Sequence, residues 1–165
     1  MANGIIVDEF GTTDDPAVFA AGDVAAFWHP FYGLRLRLEA WRHAMNHGTV
    51  VGRAMAGVGK PYDDIPWFWS DQRGVNLQVA GLHDLSVTTV MRGAIGAASF
   101  AAFYLDAEGL VVGATGVNAA REVRAAQALI PLRRAVDAEV LADPRSNLQI
   151  QLRLSFDEAR ATMPN

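Results

Sequence analysis

The spacing of apolar residues changes along the chain. From residue 75 to residue 117 the period is two: residues 75–82, 86–91, 99–105 and 110–117 read as four strands. Turn signals at His83-Asp84, Arg92-Gly93 and Ala107-Glu108-Gly109 separate them, as an antiparallel meander requires. On either side the period lengthens. Trp41, Ala44, Met45, Val51 and Met55 fall three or four apart, which predicts a helix over residues 39–56, closed by Gly57 and Gly59 ahead of Pro61. Asn118 reads as the N-cap of a helix over residues 119–130, with Glu122 near its start and Pro131 past its end. A further helix is predicted over residues 132–141, and residues 148–156 alternate Leu or Ile with Gln or Arg, as an edge strand does.

The first third is patterned differently. Gly4-Ile5-Ile6-Val7-Asp8 and Val18-Phe19-Ala20-Ala21 read as two short strands around a turn at residues 12–16. The second run is apolar throughout, which suits a strand covered on both faces within a larger parallel sheet. A loop with His29-Pro30 and Tyr32-Gly33 follows, and Leu34, Leu36 and Leu38 then alternate with Arg35 and Arg37. Residues 62–72 are aromatic and turn-rich and read as a hinge. The expected architecture is α+β. Residues 1–59 form the terminal segment of an α/β domain, and residues 60–165 form an antiparallel β-meander with two or more helices.

Composition narrows the chemistry. Of 165 residues 51% are hydrophobic and 19% charged, enough to build a core, and the apolar stretch 94–105 is too short to span a bilayer. There is no Cys, so a disulfide framework, a thiolate metal site and a redox dithiol are excluded, and redox chemistry needs a borrowed cofactor. A net charge of −4 with scattered arginines speaks against a nucleic-acid surface. The first ten residues lack the layout of a secretory signal, so the cytoplasm is the expected compartment.

The most specific chemical signal is Phe19-Ala20-Ala21-Gly22-Asp23, reached from Thr13 and Pro16. A glycine at a strand end lets the backbone approach a ligand closely, and the carboxylate after it can accept a ribose or ribitol hydroxyl. The run Thr-x-x-Pro-x-x-Phe-Ala-Ala-Gly-Asp resembles the second flavin-binding motif of pyridine-nucleotide-dependent flavoprotein reductases. Leu36-Arg37-Leu38-Glu39-Ala40-Trp41-Arg42-His43-Ala44, Ile65-Pro66-Trp67-Phe68-Trp69-Ser70-Asp71-Gln72, Leu77-Gln78-Val79-Ala80-Gly81, Arg92-Gly93 and Phe103-Tyr104-Leu105 extend it. Together they resemble the NADH-dependent ferredoxin reductases of bacterial oxygenase systems, over about residues 3–143.

That resemblance implies specific roles. Asp23 would bind the ribityl hydroxyl of FAD, with Gly22 allowing the approach. Trp41, Arg42 and His43 would open the helix whose N–H groups face the pyrimidine edge of the flavin, where a helix N-terminus favours negative charge. Trp69 would lie against the flavin on the side where ferredoxin docks, with Trp67 nearby, and Glu39 would stand near the nicotinamide side. Electrons would pass from NAD(P)H through FAD to a ferredoxin-type iron–sulfur protein. Plainer readings stand beside these. Trp67 and Trp69 also suit a role as core anchors. Glu39, His43 and His47 recur every four residues, a spacing that binds zinc or simply marks an exposed polar stripe. Asp14-Asp15 and Asp63-Asp64 suit turns, and Ser70, Asp71 and His83 lack the glycines of a nucleophile elbow.

The chain departs from such reductases in one respect. Neither Gly-x-Gly-x-x-Gly unit, for the ADP half of FAD or for NADH, is present, since Gly93-Ala94-Ile95-Gly96 and Gly113-Ala114-Thr115-Gly116 have the wrong spacing. The 165 residues on their own are therefore expected to have little or no reductase activity. The alternative is a non-catalytic module that forms a homodimer or docks on a separate redox subunit.

Overall fold

In the computed structural model residues 3–148 are described, and the chain divides into two compact units, Met1–Pro66 and Trp67–Asn165. In the first, β1 (Ile5–Val7) pairs in parallel with β2 (Ala25–His29), which pairs antiparallel with β3 (Leu34–Leu36). The register Val7↔Phe27↔Leu36 turns these three side chains to one face. There Val7, Ala20, Ala25, Phe27 and Tyr62 form the core, with Leu36, Leu38 and Val50 packed around it. Phe27 is fully buried, which contributes about 1.5–3 kcal/mol. Helix α1 (Trp41–Met55) turns His43, His47 and Val51 inward, four residues apart on one stripe.

One expectation fails in this unit, and one strand lies where none was expected. Residues 18–21 are not a strand: a turn over residues 13–18 and a 3₁₀ turn at Gly22–Val24 bracket them, and one isolated bridge, Thr12↔Phe19, is their only ladder contact among the described residues. The strand of this region is β2, which the sequence reading passed over. Ala25, Ala26, Phe27 and His29 are buried and only Trp28 is exposed, so the strand carries no clean period of two and ran into the His29-Pro30 loop signal.

The second unit is a five-stranded antiparallel sheet in the order β4-β5-β8-β7-β6. Its strands are β4 (Trp67–Gln72), β5 (Val75–Gly81), β6 (Thr88–Arg92), β7 (Phe100–Leu105) and β8 (Val111–Val117). All four expected strands are present, but they do not form a simple meander. β5 pairs with β8, and a 3₁₀ turn at His83–Leu85 carries the chain across to the far edge. The fifth strand, β4, occupies the segment read as a hinge. It joins β5 through Arg73 and Gly74, both at positive φ, the two-residue turn that matches the twist of a hairpin.

Helix α2 (Ala120–Leu129) covers one face of this sheet through Val123, Ala126 and Leu129, against Ala101, Phe103 and Ala114. The helix sits close because β8 is built from small residues: a Cβ on Gly116 would lie 2.7 Å from Val123 Cγ2. Asn118 is not its N-cap. That position is Ala119, and Asn118, at φ +50°, instead binds Asn76 and Ala98 with its side chain. The predicted helix over residues 132–141 is also replaced. Pro131 sits in a 3₁₀ turn, Ile130–Leu132, after which Arg133 turns left-handed, and α3 (Ala138–Ala142) begins only where Asp137 caps it by accepting from the Glu139 N–H. The strand expected over residues 148–156 lies outside the described residues apart from Leu148. No helix among the described residues is long and apolar enough to cross a membrane.

Candidate functional site

The site builds up from the corner between Ala20 and β2. Gly22 is buried at φ +71°, a left-handed conformation that favours glycine, and Asp23 follows it exposed in the 3₁₀ turn. A Cβ on Gly22 would stand 3.4 Å from Ala44 Cβ, so the corner lies directly on the first turns of α1. Arg37 ties the surroundings together. Its guanidinium donates to the Asp23 carbonyl oxygen at 3.0 Å and pairs with Glu39.

The start of α1 carries no compensation from the chain itself. Ala40 occupies the N-cap position without a side-chain cap, and no acidic residue lies in the first turn. Aligned N–H groups at a helix N-terminus favour an anion, so this end can stabilise negative charge on a bound group. Trp41 and Arg42 open the helix and are exposed, whereas His43 is buried.

Beneath the corner lies a cluster that the sequence reading did not anticipate. His29, His43 and His47 are all buried with Phe27 and Tyr62. The rings of Phe27 and His43 stack at 5.0 Å, and those of His43 and His47 at 5.1 Å. His43 Nδ1 is 3.1 Å from the Tyr62 hydroxyl, His47 Nδ1 accepts the Gly22 N–H at 3.1 Å, and His29 Nε2 is 3.0 Å from the Asp64 carbonyl oxygen. Burial lowers all three pKa values, that of His47 to about 4 with a further push from neighbouring His43. The stripe of Glu39, His43 and His47 is thus neither a zinc site nor an exposed polar face. Glu39 turns outward to Arg37 while both imidazoles point into the core, and no group of three ligands able to hold a metal occurs among the described residues. The available signal was Val51, which continues the histidine spacing and marks the stripe as inward.

Trp67 and Trp69 lie in the second unit, on edge strand β4. Their side chains share one face of the strand and stack at 4.9 Å with an interplanar angle of 22°; Trp67 is half-buried and Trp69 exposed. The structure brings Gly22, Asp23, Arg37, Glu39 and the start of α1 together in one unit and sets the tryptophan pair on the other.

A five-stranded antiparallel sheet backed by helices, entered through a strand bearing paired tryptophans, makes the second unit an α+β domain. Residues 67–152 match the family model described as Reductase C-terminal, and the chain belongs to that family.

The ferredoxin–NAD(+) reductase component of the anthranilate 1,2-dioxygenase system of Burkholderia cepacia is 40% identical over 147 residues, which cover 89% of this chain and 36% of that protein. The corresponding component of the p-cumate 2,3-dioxygenase system of Pseudomonas putida is 36% identical over 87% of this chain and 35% of its own length. The chain therefore spans little more than a third of the curated relatives it matches. Among solved structures, the ferredoxin reductase for the CYP199A2 system from Rhodopseudomonas palustris superposes with a TM-score of 0.84 at 36% identity, over 92% of this chain and 37% of that one. The reductase fold also appears in the covalent putidaredoxin reductase–putidaredoxin complex, with a TM-score of 0.81 at 27% identity, over 98% of this chain and 37% of that one.

Proposed function

We propose that this chain is the acceptor-side part of a flavoprotein ferredoxin reductase, which moves electrons from NAD(P)H through FAD to a ferredoxin-type iron–sulfur protein. The observation that carries the reading is the Gly22–Asp23 corner set against an α1 N-terminus that no side chain of its own caps or neutralises. These residues fit FAD. Asp23 presents an exposed carboxylate able to accept a ribityl hydroxyl, Gly22 keeps the backbone free of a side chain, and the first turn of α1 offers N–H groups to the pyrimidine edge. When bound, FAD supplies the exchange between two-electron and one-electron chemistry that the side chains themselves cannot perform.

The residues divide the remaining work. Arg37 holds the Asp23 backbone and neutralises Glu39, so the Glu39 carboxylate just before α1 does not oppose a negative flavin edge. The aromatic and histidine packing beneath keeps water from the inner side of the corner. Trp69, exposed on an edge strand, belongs to the surface offered to the acceptor protein, and Trp67 supports it from the side. A cytoplasmic setting suits such a reductase.

The test is FAD titration of the purified chain at neutral pH, followed by NADH-dependent dye reduction with and without the dinucleotide-binding portion of a relative supplied as a separate polypeptide. FAD retention with activity only in the mixture is the expected result. Failure of Asp23→Ala to weaken FAD binding would count against the assignment.

A second reading is supported by the face of the sheet opposite α2. Phe68, Leu77, Val79, Phe100, Ala102 and Val117 share it by register, are apolar and remain at least partly exposed. An uncharged sheet face of this kind serves as an interface more readily than as a solvated surface. A homodimer would appear in size-exclusion chromatography with light scattering as twice the 17.8 kDa chain mass.

A further inference from the structure

His47 lies 25 residues from Gly22 in sequence, yet its Nδ1 accepts the Gly22 N–H in a fully buried hydrogen bond of 3.1 Å. An imidazole nitrogen that accepts carries no proton, so the ring is neutral and its single proton is on Nε2. The ring has little room to turn. It stacks on His43 at 5.1 Å and leans on Phe27 and on Tyr62 at 4.9 Å each.

We propose that His47 is a positioning residue for the Gly22–Asp23 corner: its neutral Nδ1 fixes the left-handed Gly22 peptide, and through it the place of the Asp23 carboxylate, and a proton on that nitrogen releases the corner. The functional consequence rests on the flavin reading given above. The hydrogen bond itself does not.

The chemistry follows from donor and acceptor counting. Once Nδ1 carries a proton, two N–H donors face each other about 3 Å apart in a dry site, and neither has an acceptor. The surroundings oppose that state. From α1 itself the neighbouring titratable group is His43; from the segment after the helix it is Tyr62; His29 on β2 and the carboxylates of Asp23 and Asp64 act on His43. Burial and His43 together keep His47 neutral until the pH falls to about 4. The corner is therefore locked at neutral pH and loosened by acid.

The test is a pH titration of the ¹⁵N-labelled full chain by NMR, reading the tautomer of His47 and the exchange rate of the Gly22 amide, with the Phe103 amide of the other unit as internal control. His47→Asn and His47→Leu are compared, because the Asn oxygen stands where Nδ1 does, accepts the same N–H and does not titrate, whereas Leu offers no acceptor. In the wild type the expected result is the Nε2–H tautomer at neutral pH and a Gly22 protection factor, the intrinsic exchange rate over the observed one, that falls about tenfold with the same midpoint as the imidazole. His47→Asn keeps the slow exchange and abolishes the midpoint, and His47→Leu exchanges fast throughout. An Nδ1–H tautomer at neutral pH, or Gly22 exchange indifferent to the protonation of His47, overturns the proposal; the wild-type titration decides even if His47→Leu does not fold. FAD titration of the same samples separates the two ideas. A wild-type chain with a locked corner and no affinity for FAD contradicts the flavin reading alone, while FAD binding equally tight in His47→Leu contradicts the positioning role.

Discussion

Trp67 and Trp69 stack with ring centroids 4.9 Å apart because they stand two residues apart on the same face of β4, opposite Ala80 and Gln78 of β5. The small Ala80 beside Trp67 leaves room for the indole to lie along the strand, and Trp69 then packs against it with an edge left in solvent. The two indoles are skewed by 22° at this separation, so their strong short-wavelength transitions couple and the far-UV circular dichroism of the chain should contain an exciton couplet that either substitution to Phe removes. On the acceptor-surface proposal above, Trp69→Ala should weaken binding of a ferredoxin-type iron–sulfur protein by about tenfold or more, as truncation of an exposed aromatic anchor does, with little change in stability. Trp67→Ala should do the reverse, costing about 1–2 kcal/mol in urea unfolding through lost burial.

Asn118 and Asn76 bind each other reciprocally. The Asn118 N–H donates to the Asn76 carbonyl oxygen at 2.7 Å, and the Asn76 N–H donates to Asn118 Oδ1 at 2.9 Å. The Asn118 side-chain amide also donates to the Ala98 carbonyl at 2.7 Å, so one residue ties three chain segments together at the end of β8. Asn118→Ala should cost about 2–3 kcal/mol in urea unfolding, since it loses two side-chain hydrogen bonds and places a Cβ without compensation at positive φ. Asn118→Gly should cost less, because only the hydrogen bonds are lost.

This pair also shows what was and was not legible in the amino-acid order. Strands β5 to β8 carry a period of two over five to seven residues each and were readable as elements. Their order was not, because β5 and β8 pair through backbone groups, and nothing in the sequence marks Gly116 as the place where α2 settles on β8. Asn118 before a helical pattern has the composition of an N-cap, and nothing local says that Asn76, 42 residues earlier, claims its oxygen. The site was uneven in the same way. Gly22 and Asp23 are contiguous and stand out, whereas His47 and Arg37 reach the corner from separate elements, through contacts that only the fold creates.

Arg92 is buried at the end of β6, where its guanidinium donates to the carbonyls of Leu141, Asp143, Pro144 and Ser146 and lies 3.6 Å from Glu122. The planar fork with five donors matches this ring of acceptors, and a lysine ammonium cannot reach around it. Arg92→Lys and Arg92→Met should both cost about 3 kcal/mol, with Lys giving no rescue. Hydrogen exchange is the measurement that locates the effect: amides of residues 138–146 should exchange faster while those of β7 and β8 keep their protection.

The three buried histidines set a pH dependence of stability whose sign is opposite to that of a histidine held in an ion pair. In the folded chain His29, His43 and His47 are harder to protonate than in the unfolded chain, His47 titrating near 4 against 6.5. For His47 the unfolded state binds more protons between those values, so its contribution is complete above about pH 6.5, falls as the pH drops toward 4 and stops falling below it, and burial of His29 and His43 gives losses of the same sign. For His47 alone the span corresponds to about 3 kcal/mol. Asp143 acts in a different window. Hydrogen bonds from Arg145 hold its carboxyl below the ordinary value of 3.8, so its contribution disappears only at lower pH. Urea unfolding at several pH values between about 7 and 4, followed by amide exchange in each unit, should therefore show the loss confined to the unit that holds the histidines. His47→Asn should flatten the slope by the share of one group while leaving the loss due to His29 and His43 in place. A slope unchanged by that substitution, or equal losses in both units, would mean that the acid sensitivity arises elsewhere in the chain.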